Sequence, residues 1–133
     1  MRTTARETAF KILFSTQFNE EFDYTKRSVF SFDNLDENDI TYCNDIVKCV
    51  LEHKAELTKI IDNHSRQFPE SRLFYADRSI LLIAVAEILY FDDIPSAVSV
   101  NEAANIASKY SSEKSATFIS GILSDIIEEH ANV

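Results

Sequence analysis

Cys49, His53 and Glu56 recur at i, i+4 and i+7, which puts a thiol, an imidazole and a carboxylate on one face of a helix. These are zinc-ligand types, but a closed tetrahedral site needs a fourth ligand and none stands at a matching position. The plainer reading is a buried cysteine beside polar surface residues. His64 and His130 lie far from this group in sequence. Asp92-Asp93 and Glu128-Glu129 are adjacent pairs. Neighbours on a helix do not face one another, so both pairs read as solvated charge rather than as an acid and its base. The serines have no histidine and aspartate at a spacing that suggests a nucleophilic triad. No enzyme activity, metal or cofactor is expected.

The basic residues point elsewhere. Of the 133 residues, 13 are Lys or Arg and 22 are Asp or Glu, for a net charge of −9. Nucleic acid repels such a chain as a whole, so binding would need a local basic patch. Arg2, Arg6, Lys109 and Lys114 lie in the least acidic stretches. If the first and last helices are neighbours, these four form one patch. Tyr110 and Phe118 beside it could stack the bases of single-stranded RNA. The competing reading is ordinary solvated charge on an acidic protein.

The elements that must position these residues are helices. The chain has one glycine and two prolines, against about nine glycines for an average chain of this length. Glycine-rich phosphate loops, dinucleotide fingerprints and hairpin-rich β folds are thereby nearly excluded. Hydrophobic residues make up 45%, including ten Phe and five Tyr, which is enough for the core of a single domain. The longest apolar run, 80–86, is seven residues, short of the roughly 20 that cross a bilayer. Cys43 and Cys49 are six apart and fall on different helix faces, which suits a reduced pair in a cytoplasm.

Helix one is expected over 3–18, with Thr4-x-x-Glu7 as a capping box and Ala9, Phe10, Leu13, Phe14 and Phe18 as its apolar face. The stretch 19–39 has seven acidic residues against Lys26 and Arg27. A short helix over 24–31 and a turn at Asp33-Asn34 are expected there. One long helix should run over 36–66, capped by Asp36 and ended by Phe68-Pro69. A short helical turn over 70–74 follows. Residues 77–91 are apolar nearly all round, so this helix should be central and buried. Asp92-Asp93-Ile94-Pro95 breaks it. A small-residue helix follows over 96–109, and Ser111-Ser112 caps a last one over 113–129.

Several of these segments resemble a known family. The opening TARETAFKILF, Glu87 at the end of an apolar helix, Ile94-Pro95, Asn101-Glu102-Ala103, Lys109 and the run 118–123 (FISGIL) stand in the order and spacing of the NusB family of bacterial transcription antitermination factors. The resemblance covers essentially the whole chain. It implies an all-α fold, a bundle of about seven helices in one domain, with helical subdomains at about 1–68 and 69–133. It implies an RNA-binding adaptor that pairs with NusE, a small-subunit ribosomal protein. The pair binds a boxA element of nascent ribosomal RNA as part of the RNA polymerase antitermination complex. Arg2, Arg6, Lys109, Lys114, Phe118 and Ser120 are then the RNA-facing candidates, with Ser120 where the family usually has Asn. Phe14 and Asp77 match positions used toward NusE. The family's N-terminal arginine cluster is thinner here. Leu82 stands where Arg is frequent and Ala86 replaces an aromatic residue. Gly121 either eases helix packing or lets RNA approach. The alternative implied by the thin patch is a helical protein-interaction module, such as a homodimer, without RNA binding. The same fold also occurs as the N-terminal domain of a ribosomal RNA cytosine methyltransferase, but a cofactor domain does not fit in this chain. Met1 and Val133 read as natural ends.

Overall fold

The computed structural model describes residues 2–16, 35–65 and 74–131. The short helix at 24–31, the Asp33-Asn34 turn, the Phe68-Pro69 stop and the turn at 70–74 lie outside or at the edge of these residues. Among the described residues there are six helices: α1 (Arg2–Thr16), α2 (Glu37–Glu52), α3 (Lys54–His64), α4 (Tyr75–Tyr90), α5 (Ser96–Tyr110) and α6 (Glu113–Ala131). The all-α expectation holds.

The middle helix, α4, is surrounded by the others. Every residue from Asp77 to Glu87 is buried except the partly exposed Arg78. α1, α2, α3, α5 and α6 all pack against it. That is what a helix without a polar face must do, because leaving Ile80, Leu81, Ile83 and Val85 in water would forfeit about 25 cal/mol per Å² of apolar surface. A single core joins Ala5, Ala9 and Leu13 of α1, Val47 and Val50 of α2, and Ile119, Leu123 and Ile126 of α6.

Two helix starts follow the local chemistry read from the sequence. Asp36 Oδ1 accepts from the backbone N–H of Asp39 at 2.8 Å, and Glu37 and Asp39 complement the positive end of α2. Ser112 Oγ accepts from the Ser115 N–H at 3.0 Å and caps α6. Pro95 directly precedes α5.

Two expectations are corrected. α1 already begins at Arg2, so Thr4 is inside the helix rather than its cap, and the Glu7 carboxylate reaches across to α5 instead. The long helix at 36–66 is two helices, split at His53. No proline or glycine marks the break. The His53 ring stacks on Tyr90 of α4 at 4.4 Å, and the Tyr90 hydroxyl donates to Glu56 at 2.8 Å. Tertiary contacts with the end of α4 hold a bend that no local signal announces. The Cys49–His53–Glu56 face is interrupted there, and among the described residues no group of three metal-ligand side chains assembles.

Candidate nucleic-acid interface

α1 and α5 lie side by side in the same direction, with Thr3 and Arg6 beside Glu102 and Glu7 and Phe10 beside Tyr110. α2 flanks the other side of α1, where Arg2 and Arg6 sit over the Tyr42 ring. α6 packs on α5, α4 and α3. Arg6 is buried and Lys109 is paired with Glu7, so the four basic residues do not present four open charges.

Arg6 is the largest departure. It is buried at 3% exposure. Its Nε donates to Glu87 Oε2 at 2.9 Å and its Nη2 to Glu87 Oε1 at 3.0 Å. The Tyr42 hydroxyl also donates to Glu87 Oε2, and Ser99 Oγ donates to Oε1 at 3.0 Å. Burial pulls the guanidinium pKa down, but the hydrogen bonds and charge of Glu87, helped by Tyr42 and Glu102, outweigh it and hold the group above its ordinary value. Burial pushes the Tyr42 phenol up, and the Glu87 charge pushes it further. A guanidinium held this way has no surface to offer a phosphate, so Arg6 is a core residue and not an RNA-facing one.

Arg2 is exposed, with its guanidinium 4.3 Å from the Tyr42 ring centre. It lines an open cleft with Asn38, Thr41, Asp45, Phe91 and Asp93. Lys109, on the α5 flank, is exposed and bound to both Glu7 carboxylate oxygens at 3.1 Å, a contact that raises its pKa. Its charge is largely answered within the chain.

Lys114, in the first turn of α6, is exposed. Phe118, one turn on, is half-buried against the core, as is Ser120. Gly121 is exposed, and a Cβ built there meets nothing within 4 Å. Packing against the described residues therefore does not require glycine at this position. Lys114, Phe118 and Gly121 stand at three- and four-residue steps, so one stripe of α6 carries an exposed cation, an aromatic edge and an exposed glycine backbone. Asn101, Asn105 and Ser108 of α5 are likewise exposed.

A second feature is an apolar cleft of about 370 Å³ lined by Phe10, Lys11, Phe14, Ser15, Ala76 and Tyr110. Phe14 is half-buried in it. Asp77 lies next to it in sequence but is buried at 4% exposure, and Ser115 Oγ donates to its Oδ2 at 3.0 Å. The polar centre around Glu87 was missed as a unit in the sequence, although an acidic residue closing an apolar run was a signal for it.

The NusB family profile matches residues 3–128. The chain belongs to the NusB family. The transcription antitermination protein NusB of Finegoldia magna is 34% identical over 132 residues, covering 98% of this chain and 96% of the relative. That of Oceanobacillus iheyensis is 35% identical over 127 residues, covering 95% and 98%. Among solved structures, T. maritima NusB superposes with a TM-score of 0.90 at 28% identity, covering 98% of this chain and 93% of that one. A crystal structure of NusB and NusE in complex with double-stranded RNA superposes with a TM-score of 0.82 at 24% identity, covering 96% of each chain, and shares the fold. In this NusB-family chain, Glu87 is the centre of the buried network.

Proposed function

We propose that this chain is a transcription antitermination factor that acts as an RNA-binding adaptor, pairing with NusE on a boxA-type single-stranded RNA within the antitermination complex of RNA polymerase. The observation that carries this reading is the end-to-end match to curated antitermination proteins. It has no catalytic role and works in the cytoplasm. The RNA lies along the α6 stripe of Lys114, Phe118, Ser120 and Gly121. Phe118 stacks a base, Lys114 neutralises a phosphate, and Gly121 lets the backbone come close. Arg2 adds a phosphate contact from the other flank of α1, and Lys109 contributes little while Glu7 holds it. NusE docks over the apolar cleft at Phe14, and Asp77 supports that face from below through Ser115.

With Arg6 buried and Lys109 paired with Glu7, RNA affinity alone is weak and NusE strengthens it. Fluorescence anisotropy of a labelled boxA-like RNA, with and without NusE and at two salt concentrations, tests this. Salt-dependent binding that NusE enhances and that Arg2→Glu plus Lys114→Glu abolishes is the expected result. Arg6→Glu is unsuitable, because it disrupts the core. Absence of RNA binding even with NusE would sink the reading. The burial of Arg6 and the pairing of Lys109 favour one second reading, a helical protein-interaction module or homodimer, which pull-down and sedimentation would then address.

A further inference from the structure

Arg6, Glu87, Ser99 and Glu102 meet where α1, α4 and α5 pack, and hydrogen bonds are shared unevenly among them. Each oxygen of Glu87 accepts twice: Oε1 from Arg6 and Ser99, Oε2 from Arg6 and Tyr42. Its capacity is full. Glu102 differs. Its Oε1 accepts from Thr3 Oγ1 at 2.9 Å and lies 3.6 Å from Arg6 Nη1, beyond good hydrogen-bond range. Its Oε2 is buried and accepts from no group among the described residues. A buried carboxylate oxygen without a donor is costly, and native structures rarely leave one.

Beside these groups is a small cavity. Arg6, Glu87, Ser99 and Glu102 line its polar side, and isoleucine and alanine side chains line the rest. It has room for about 10 Å³, the space of a single water and too little for an organic ligand.

We infer that this cavity is a binding site for one resident water molecule, which donates to Glu102 Oε2 and joins Glu102 to the Arg6–Glu87 pair. Ser99 has committed its hydroxyl proton to Glu87, so its oxygen is free to accept the second water proton. Arg6 is the donor that the water oxygen faces. A monovalent cation of similar size is the competing occupant, since Glu87 and Glu102 set two negative charges against the one on Arg6. Glu87 already joins α1, α2, α4 and α5 directly, and the water adds the Glu102 carboxylate to that network.

A crystal structure of the full chain resolving ordered waters tests this, with a second crystal soaked in rubidium chloride. The expected result is one compact density peak in hydrogen-bond reach of Glu102 Oε2, without rubidium anomalous signal, that is absent in Glu102→Met. Should that variant fail to fold, the wild-type protein supplies a second readout: a water–methyl NOE at Ala103 with the sign of a long-lived water. An empty cavity, a rubidium signal, a peak that persists in Glu102→Met or a missing NOE would each overturn the inference.

Discussion

The two flanks of α1 carry charge in opposite ways. Toward α2 and α4, Arg6 and Glu87 are buried at 3% and 1% exposure and are bound by two further hydroxyl donors. Toward α5, Glu7 and Lys109 make a pair of similar length whose lysine is exposed to water. The difference lies in what happens when one partner is removed. A buried charge left alone has no solvent to turn to, whereas an exposed one is rehydrated. Two cations that look alike in sequence are therefore a core element and a surface detail.

Glu87→Ala gives the largest effect. It leaves Arg6 uncompensated in the core and should lower stability by about 3–5 kcal/mol, read from urea denaturation. Arg6→Met combined with a Glu87 substitution should cost less than the sum of the two single changes, since neither charge is then stranded. If Glu87→Ala were nearly silent, the contrast between the flanks would collapse.

Tyr42→Phe removes one donor to the Glu87 carboxylate and should cost about 1.5–3 kcal/mol near neutral pH. It also carries a pH signature. The folded protein holds the Tyr42 phenol above its ordinary value, so the stabilisation it gives is complete below about pH 10 and falls as pH rises further. A stability profile from pH 8 to 11 should decline more steeply in wild type than in Tyr42→Phe.

Gly121→Ala has the opposite sign. The position is helical and exposed with nothing within 4 Å, so alanine should raise stability by about 0.5–1 kcal/mol. The same variant should weaken RNA binding in the anisotropy assay, which would separate a functional glycine from a structural one. Lys109→Ala should leave the denaturation midpoint unmoved, completing the contrast with Glu87→Ala.

Much of the fold was legible. The scarcity of glycine and proline and the three- and four-residue spacing announced helices. The unbroken apolar surface of 77–91 announced the central one, and Asp36 and Ser112 announced their caps. These are local signals, carried by residues within one or two turns. The break at His53 was not legible, because the stripe Cys43, Val47, Val50, Leu57 and Ile61 continues across it and only Tyr90, far along the chain, explains it. The candidate site was legible in part. Lys114, Phe118 and Gly121 were named singly, by charge and by the resemblance, and only the helix of the structure lines them up, exposed or half-exposed, along α6. Arg6 could not be placed, because its charge reads identically on either side of α1.

By itself the sequence determined the helical class, the central helix, two of the helix starts and the family. All of these depend on periodicity and on short-range hydrogen bonds. Only the tertiary structure decided which charges count. Arg6 meets Glu87 across 81 residues and Lys109 meets Glu7 across 102, and no local pattern encodes which of these meetings excludes water. Burial sets the energy of a charge, and burial belongs to the packed assembly of helices rather than to any one of them.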